Sequence, residues 1–343
     1  MKQSYLGGNA ILVGNGINRV CGSQLSWAQL LKDIARNYDI KVDIDNPLKP
    51  FPLSFEEMLS GKQGITSSDD KLKNLKTRIK DVLEKDAEKL IQRDLFQKIF
   101  DTAEKEILTT NYDYNLETSK LPDFIKIKKG FSLNNRESKH SLFRGYDING
   151  KKIRHIHGEL STNRAITNKD SYLAESIMIG FEHYSTYLHT IQNNVQGTSG
   201  GNPDDKNILF RIKEEILGKS WCDLFFTHNV HILGLTLDFS ENHLWWLLLY
   251  RIQQMRKSNK FNVKVNNKIY FYYKNSLIQP SSTQLQGEKA FEEYYNKKIN
   301  LDRTRAIGDM LSSLGVTIVP LDVAEYQDFY NMSLDLINDN SNL

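Results

Sequence analysis

Cysteine is nearly absent. Cys21 and Cys222 are the only two in 343 residues, too few for a four-cysteine zinc site and no sign of a disulfide scaffold. A charge excess is also missing. Forty-five Lys and Arg stand against 42 Asp and Glu, a formal +3, which gives no electrostatic footprint for direct nucleic-acid binding, although a local basic patch stays open. Long apolar runs are lacking as well. Leu244–Tyr250 is the greasiest stretch, far below the ~20 residues of a membrane helix. The early apolar run, Ala10–Val13, is too short for the core of a secretion signal. No internal repeat is visible. These absences point to a soluble, cytoplasmic chain without a membrane partner. What is present, 39% hydrophobic, 25% charged and 10% aromatic residues, excludes disorder and fibrous architecture and suffices for a large core.

Short apolar runs, most of them ending in small or polar residues, read as buried strands: Ala10–Val13 before GNGIN, Glu106–Leu108 before TTNYD, Lys152–Ile156 before HGE, Val230–Leu233 before GLTLD, Lys268–Tyr273 and Val316–Val319. Helical spacing lies between them. Trp27, Leu30, Leu31, Ile34 and Tyr38 recur at intervals of three or four behind Ser26, a plausible N-cap. Lys71–Glu106 suits a helix or helical hairpin, and further helices are expected at Tyr172–Val195, Asp204–Leu217, Trp245–Ile252 (with Ser240 as its cap), Phe291–Tyr295 and Tyr326–Ile337. The segment from Gly197 to Asp205, GTSGGNPDD, reads by composition as a flexible connection or lid. Strands alternating with helices imply an α/β fold, an open sheet wound on both sides, whose ligands bind beyond the carboxyl ends of its strands.

The polar clusters fall at those strand ends. Gly14-Asn15-Gly16-Ile17-Asn18 could bring backbone N–H groups to a phosphate, or could be a plain β–α turn: Arg19 stands where a third glycine of the dinucleotide pattern would be. Thr109-Thr110-Asn111-Tyr112-Asp113 sets an amide beside a carboxylate, for a pocket or equally for an Asx-turn or helix cap. His155 and His157 share one face of a strand. His157, next to Gly158, is the better placed general base, and His155 is expected in the core or behind the site. A zinc site built from these two with Cys222, His228 or His231 has no standard spacing. Gly234 allows close ligand approach, and Thr236 offers a hydroxyl to a phosphate or ribose. Trp245 and Trp246 are expected in the core or a subunit contact.

In this order the motifs resemble the sirtuin catalytic core. Its Gly-Ala-Gly-hydrophobic-Ser turn is matched by Gly14–Asn18, with Gly22 and the SQLSW stretch following. Its Thr-Gln-Asn-hydrophobic-Asp motif is matched by Thr109/Thr110 to Asp113, its His-Gly by His157-Gly158, and its Gly-Thr-Ser by Gly234-Leu235-Thr236. The likeness spans residues 10 to about 240. It departs from sirtuin deacylases in lacking their four-cysteine zinc module, and so is similar to the zinc-free sirtuin-like proteins of prokaryotes, associated with NAD hydrolysis in anti-phage defence, often inside larger assemblies.

The resemblance implies a single Rossmann-like catalytic domain over residues 1–343, doubly wound and mostly parallel, with helical insertions at about 40–105 and 160–225. It implies cleavage of the nicotinamide–ribose bond of NAD, which is consumed as substrate with no metal required. Asn111 would hold the water or ribose, Asp113 the carboxamide, and His157 would take the proton. Gly14, Asn15, Gly16, Asn18, Thr110, Gly234 and Thr236 would bind the dinucleotide. Partners implied are further copies of the chain, a defence protein such as an ATPase, or both. The rival readings are an NAD-dependent protein deacylase and a nucleotide sensor of the ADP-ribose type without chemistry.

Overall fold

The computed structural model describes residues 3–4, 7–23, 25–37, 40–44, 49–60, 68–87, 89–90, 93–127, 141–160, 177–217, 219–256, 261–276 and 288–340. Its strands are β1 Gln3–Ser4, β2 Asn9–Val13, β3 Glu106–Thr109, β4 Tyr146–Ile148, β5 Lys151–His155, β6 Asn229–Leu233, β7 Val263–Lys264, β8 Ile269–Lys274 and β9 Val316–Leu321. Seven of them form one sheet in the order β4-β5-β3-β2-β6-β8-β9, and β1 pairs with β7 apart from it. All pairings in the large sheet are parallel except β4 with β5. Counted along the chain, the six parallel strands lie in the order 3-2-1-4-5-6, the Rossmann-type order. The strand order therefore reverses between β2 and β6.

Every residue of β2 is buried, as expected for a parallel strand covered on both faces. Alternation divides its side chains. Ile11 and Val13 join Ile107, Ile153 and Leu233 in one core, which takes in Phe55, Leu75, Leu95 and Tyr330 from the helices Phe51–Ser60, Ser68–Ala87, Asp94–Thr102 and Tyr326–Asn340. Ala10 and Leu12 join Leu108, Val230 and Ile232 in a second core against the helices Phe181–Gln196, Ile208–Lys213, Asn242–Arg256 and Glu288–Ser313. The two helical insertions thus supply much of the covering on the two faces.

Several expected boundaries shift for local reasons. β3 runs one residue further, to Thr109, whose hydroxyl donates to Val13 O at 3.1 Å and accepts from Asn111 N at 3.0 Å. β5 stops at His155, not Ile156. Lys71–Glu106 divides into the helices Ser68–Ala87 and Asp94–Thr102, and Glu106 already belongs to β3. Ser26 does cap its helix, accepting from Gln29 N at 3.1 Å. The helix expected from Tyr172 starts at Phe181, after an extended Gly180, and gives way at Gly197 with φ 84°; residues 172–176 lie outside the described residues. That expected at Asp204–Leu217 is a 3-10 turn, Pro203–Asp205, followed by Ile208–Lys213, where Asn207 accepts from Leu209 N at 2.8 Å. Asp238, not Ser240, organises the turn before Asn242–Arg256, accepting from Ser240 N at 2.8 Å. Nor is GTSGGNPDD an open lid. Thr198 N donates to Asp205 O at 2.7 Å, Asn202 N to the Asp205 carboxylate at 3.1 Å, and Lys206 Nζ to Gly200 O at 3.1 Å, so the loop is tied to itself.

Candidate functional site

The turns after β2 and β3 meet beside the point where strand order reverses. Backbone crowding explains the glycines. Gly14 N donates to Leu233 O at 2.9 Å and Gly16 N to Gly234 O at 3.0 Å. A Cβ on Gly14 would stand 2.5 Å from Gly234 O, and one on Gly16 would stand 2.8 Å from the Tyr330 hydroxyl. Gly234 has φ +62° and faces the same hydroxyl. These glycines let two backbone segments touch beneath the Tyr330 hydroxyl, and the Gly14 and Gly16 N–H groups are used by β6 and its loop. The sequence expectation of N–H groups offered to a phosphate does not describe those two. The following helix, Gly16–Val20, is a single short turn.

Between the turns after β2 and β3 lies a small recess with room for roughly one or two water molecules, so a dinucleotide would enter only as its walls part. Asn15, Asn18, Asn111, Asp113 and Asn115 supply much of its polar lining, and Trp27, Leu30, Leu83, Leu90 and Tyr112 its apolar walls. Asn18 Nδ2 donates to Asp113 Oδ2 at 2.7 Å and to Asn15 Oδ1 at 3.0 Å. Asn115 N donates to Asp113 Oδ1 at 3.1 Å. Burial pushes the Asp113 carboxyl above its usual range, and the Asn115 and Asn18 donors pull the other way. The Asn111 amide donates to Gly14 O at 3.4 Å, while its Oδ1 is buried without a hydrogen-bond partner among the described residues. A buried acceptor in that condition is an unmet demand for a donor.

Neither a family model nor a curated protein matches the chain.

Four sequence-predicted residues, Asn15, Asn18, Asn111 and Asp113, thus come together. The others do not all follow. Thr110 is buried beside β2, its N–H donating to Val13 O at 3.2 Å. Thr236 is exposed and absent from the recess lining. His157 is also absent from it. Tyr112 stands between: its ring lines the recess, edge-on to Trp27 at 5.2 Å, and its hydroxyl donates to Met178 O, whose own N–H donates to His157 O at 2.9 Å.

His157 instead meets two residues that the sequence reading missed. Its Nε2 lies 3.1 Å from Glu241 Oε2 and 3.1 Å from His243 Nε2. Tyr184 stacks on His243 at 5.7 Å and stands edge-on to His157 at 5.5 Å. In this apolar box, burial and then His157 hold His243 well below its ordinary pKa. The signal was available in Glu241-Asn242-His243, directly after the GLTLDFS strand end. Glu241 thus sets a carboxylate oxygen against the same His157 nitrogen that faces His243.

His155 lies in the core, as expected. Its Nε2 is 2.8 Å from a Glu117 carboxylate oxygen and its Nδ1 is 2.7 Å from Asn111 O. Burial alone would lower its pKa, but the Glu117 charge and hydrogen bond outweigh it and raise the value to about 9. Glu159 of the HGE segment is fully buried, accepting from Tyr114 at 2.8 Å and Tyr146 at 2.7 Å and paired with Arg144 at 3.3 Å. His231 stacks on Tyr270 at 4.7 Å, and Cys222 is a buried free thiol.

Trp245 and Trp246 are half-buried. The Trp245 indole donates to Leu237 O and Asp238 O at 3.2 Å each and stacks on the exposed Phe239, while Trp246 stacks on Tyr250 at 5.1 Å. Among the described residues no helix is long and apolar enough to cross a membrane.

Proposed function

We propose that the chain is an NAD glycohydrolase that cleaves the nicotinamide–ribose bond to give nicotinamide and ADP-ribose, a cytoplasmic effector that depletes NAD in anti-phage defence. The observation that carries this reading is the recess beside the strand-order reversal, where Asn15, Asn18, Asn111 and Asp113 converge and Asn111 Oδ1 is left unpartnered. Dinucleotides bind at such reversal points in Rossmann-type sheets, and the sirtuin-like order of motifs supports the choice of NAD.

Asn111 Oδ1 accepts from the ribose hydroxyl or the attacking water. Asp113, held by Asn18 and Asn115, accepts from the carboxamide N–H and favours departure of the nicotinamide. The ribosyl centre then carries oxocarbenium character, and water closes on it. His157 takes the proton. This role requires Tyr112 to move aside when NAD enters, because its ring stands between the recess and His157. No metal takes part in these steps. Nicotinamide release from NAD, measured by chromatography for wild type and Asn111→Ala, tests the assignment.

One observation favours a second reading, the nucleotide sensor of the ADP-ribose type: His157 is engaged by Glu241 and His243 rather than lining the recess. Saturable nucleotide binding with no nicotinamide released identifies that case. A deacylase would release nicotinamide only with acyl-lysine peptide.

An unrestrained NAD hydrolase would exhaust its own cell, so the reading includes control by assembly with further copies of the chain or with a partner such as an ATPase. The exposed Phe239, 67% accessible, and Leu249, 43%, flank the Trp245–Trp246 face and supply apolar surface for such a contact.

A further inference from the structure

Three ligand-type side chains converge beside the recess. His157 follows β5, while Glu241 and His243 open the helix Asn242–Arg256. Their facing atoms make a triangle: His157 Nε2 to Glu241 Oε2 3.1 Å, His157 Nε2 to His243 Nε2 3.1 Å, and His243 Nε2 to Glu241 Oε2 3.8 Å. Ligand atoms held about 2.0–2.1 Å from a tetrahedral metal stand roughly 3.3 Å from one another. The observed edges bracket that value.

We propose that His157, Glu241 and His243 form a three-ligand site for a divalent transition-metal cation of the zinc type, and that an ion there silences the base. The second clause rests on the NAD-hydrolase reading; the first does not. Two imidazoles and one carboxylate are a zinc donor set that leaves a fourth position open. The nitrogen donors turn the site away from magnesium and calcium, which take oxygen. His157 and His243 are 2% and 0% accessible, inside a wall of Tyr184 and Tyr187. Glu241 remains partly accessible and marks the way in.

The ion is an inhibitor here, not a cofactor. Its bond to His157 Nε2 uses the lone pair that would otherwise accept the proton. Affinity is expected to be modest, because His243 Nδ1 has no hydrogen-bond partner among the described residues, and the outer partner that zinc-bound imidazoles normally have is worth about 10–100-fold in binding.

Calorimetric titration of chelator-stripped full-length protein with zinc chloride, in the absence of NAD, tests the site. Wild type is expected to bind one equivalent with a dissociation constant of roughly micromolar order, while Glu241→Gln and His243→Gln, checked for folding by circular dichroism, each bind at least about tenfold more weakly. Equal zinc binding by a folded variant and wild type would overturn the site and assign the ion to surface groups. Zinc at the same concentrations should suppress NAD loss by wild type, and EDTA should restore it; turnover unaffected by bound zinc would overturn the inhibitory clause. Zinc binding that depends on Glu241, in protein that never cleaves NAD, would uphold the cation site and remove the hydrolase reading.

Discussion

Asn18 donates its side-chain amide to Asp113 across 2.7 Å and joins the turn after β2 to the turn after β3. This bond opposes the upward push of burial on the Asp113 carboxyl. Asn18→Ala is therefore expected to move the acidic limb of kcat/KM for NAD to higher pH, because the carboxylate loses a donor to its charged form. A pH profile unchanged from wild type would remove Asp113 from the carboxamide role.

Asn111→Ala and His157→Ala should each lose NAD turnover while remaining folded. General-base removal costs about 10²–10⁴-fold. A variant that keeps more than about a tenth of wild-type nicotinamide release does not fit its assigned role.

The pair of His155 and Glu117 makes stability depend on pH. The folded pKa of His155, about 9, lies above the ordinary value of about 6.5. The stability from its charged form is thus complete below about pH 6.5 and is lost as pH rises through about 9. Urea midpoints for wild type should fall across that interval, and His155→Gln, which lacks the titration, should fall less. Parallel curves for the two proteins would contradict the assignment.

Tyr330 fills the space that a side chain at Gly234 would need, and its hydroxyl is buried without a partner among the described residues. Gly234→Ala combines this collision with strain at φ +62°, so a loss of about 2 kcal/mol or more is expected. Tyr330→Phe removes an unsatisfied hydroxyl and should be neutral or stabilising. The double variant should recover part of the loss. Strict additivity by denaturant titration would show that the two residues do not compete for space.

Much of the fold was legible because parallel strands covered on both faces must be continuously apolar. Ala10–Val13 and, His231 apart, Val230–Leu233 announce themselves in this way, and the small residues after them mark the strand ends. The antiparallel β4 was not legible: Tyr146–Ile148 is three residues long and carries no period of its own. Asn15, Asn18, Asn111 and Asp113 could be read as one site because each follows a strand end. Glu241 and His243 also follow a strand end, but only the docking of the helix Asn242–Arg256 brings them to His157, and the sequence does not say how that helix docks. Thr236 misled because a position two residues after a glycine does not say which way the loop turns its side chain.

Purified wild type and Asn111→Ala, each incubated with NAD over a protein concentration series and sized by light scattering in the same samples, should differ completely. Wild type should yield nicotinamide and ADP-ribose in equal amounts, with turnover per chain rising as assemblies form, and the variant should yield neither. NAD left intact by wild type at every concentration, or consumed equally by both proteins, would contradict the account.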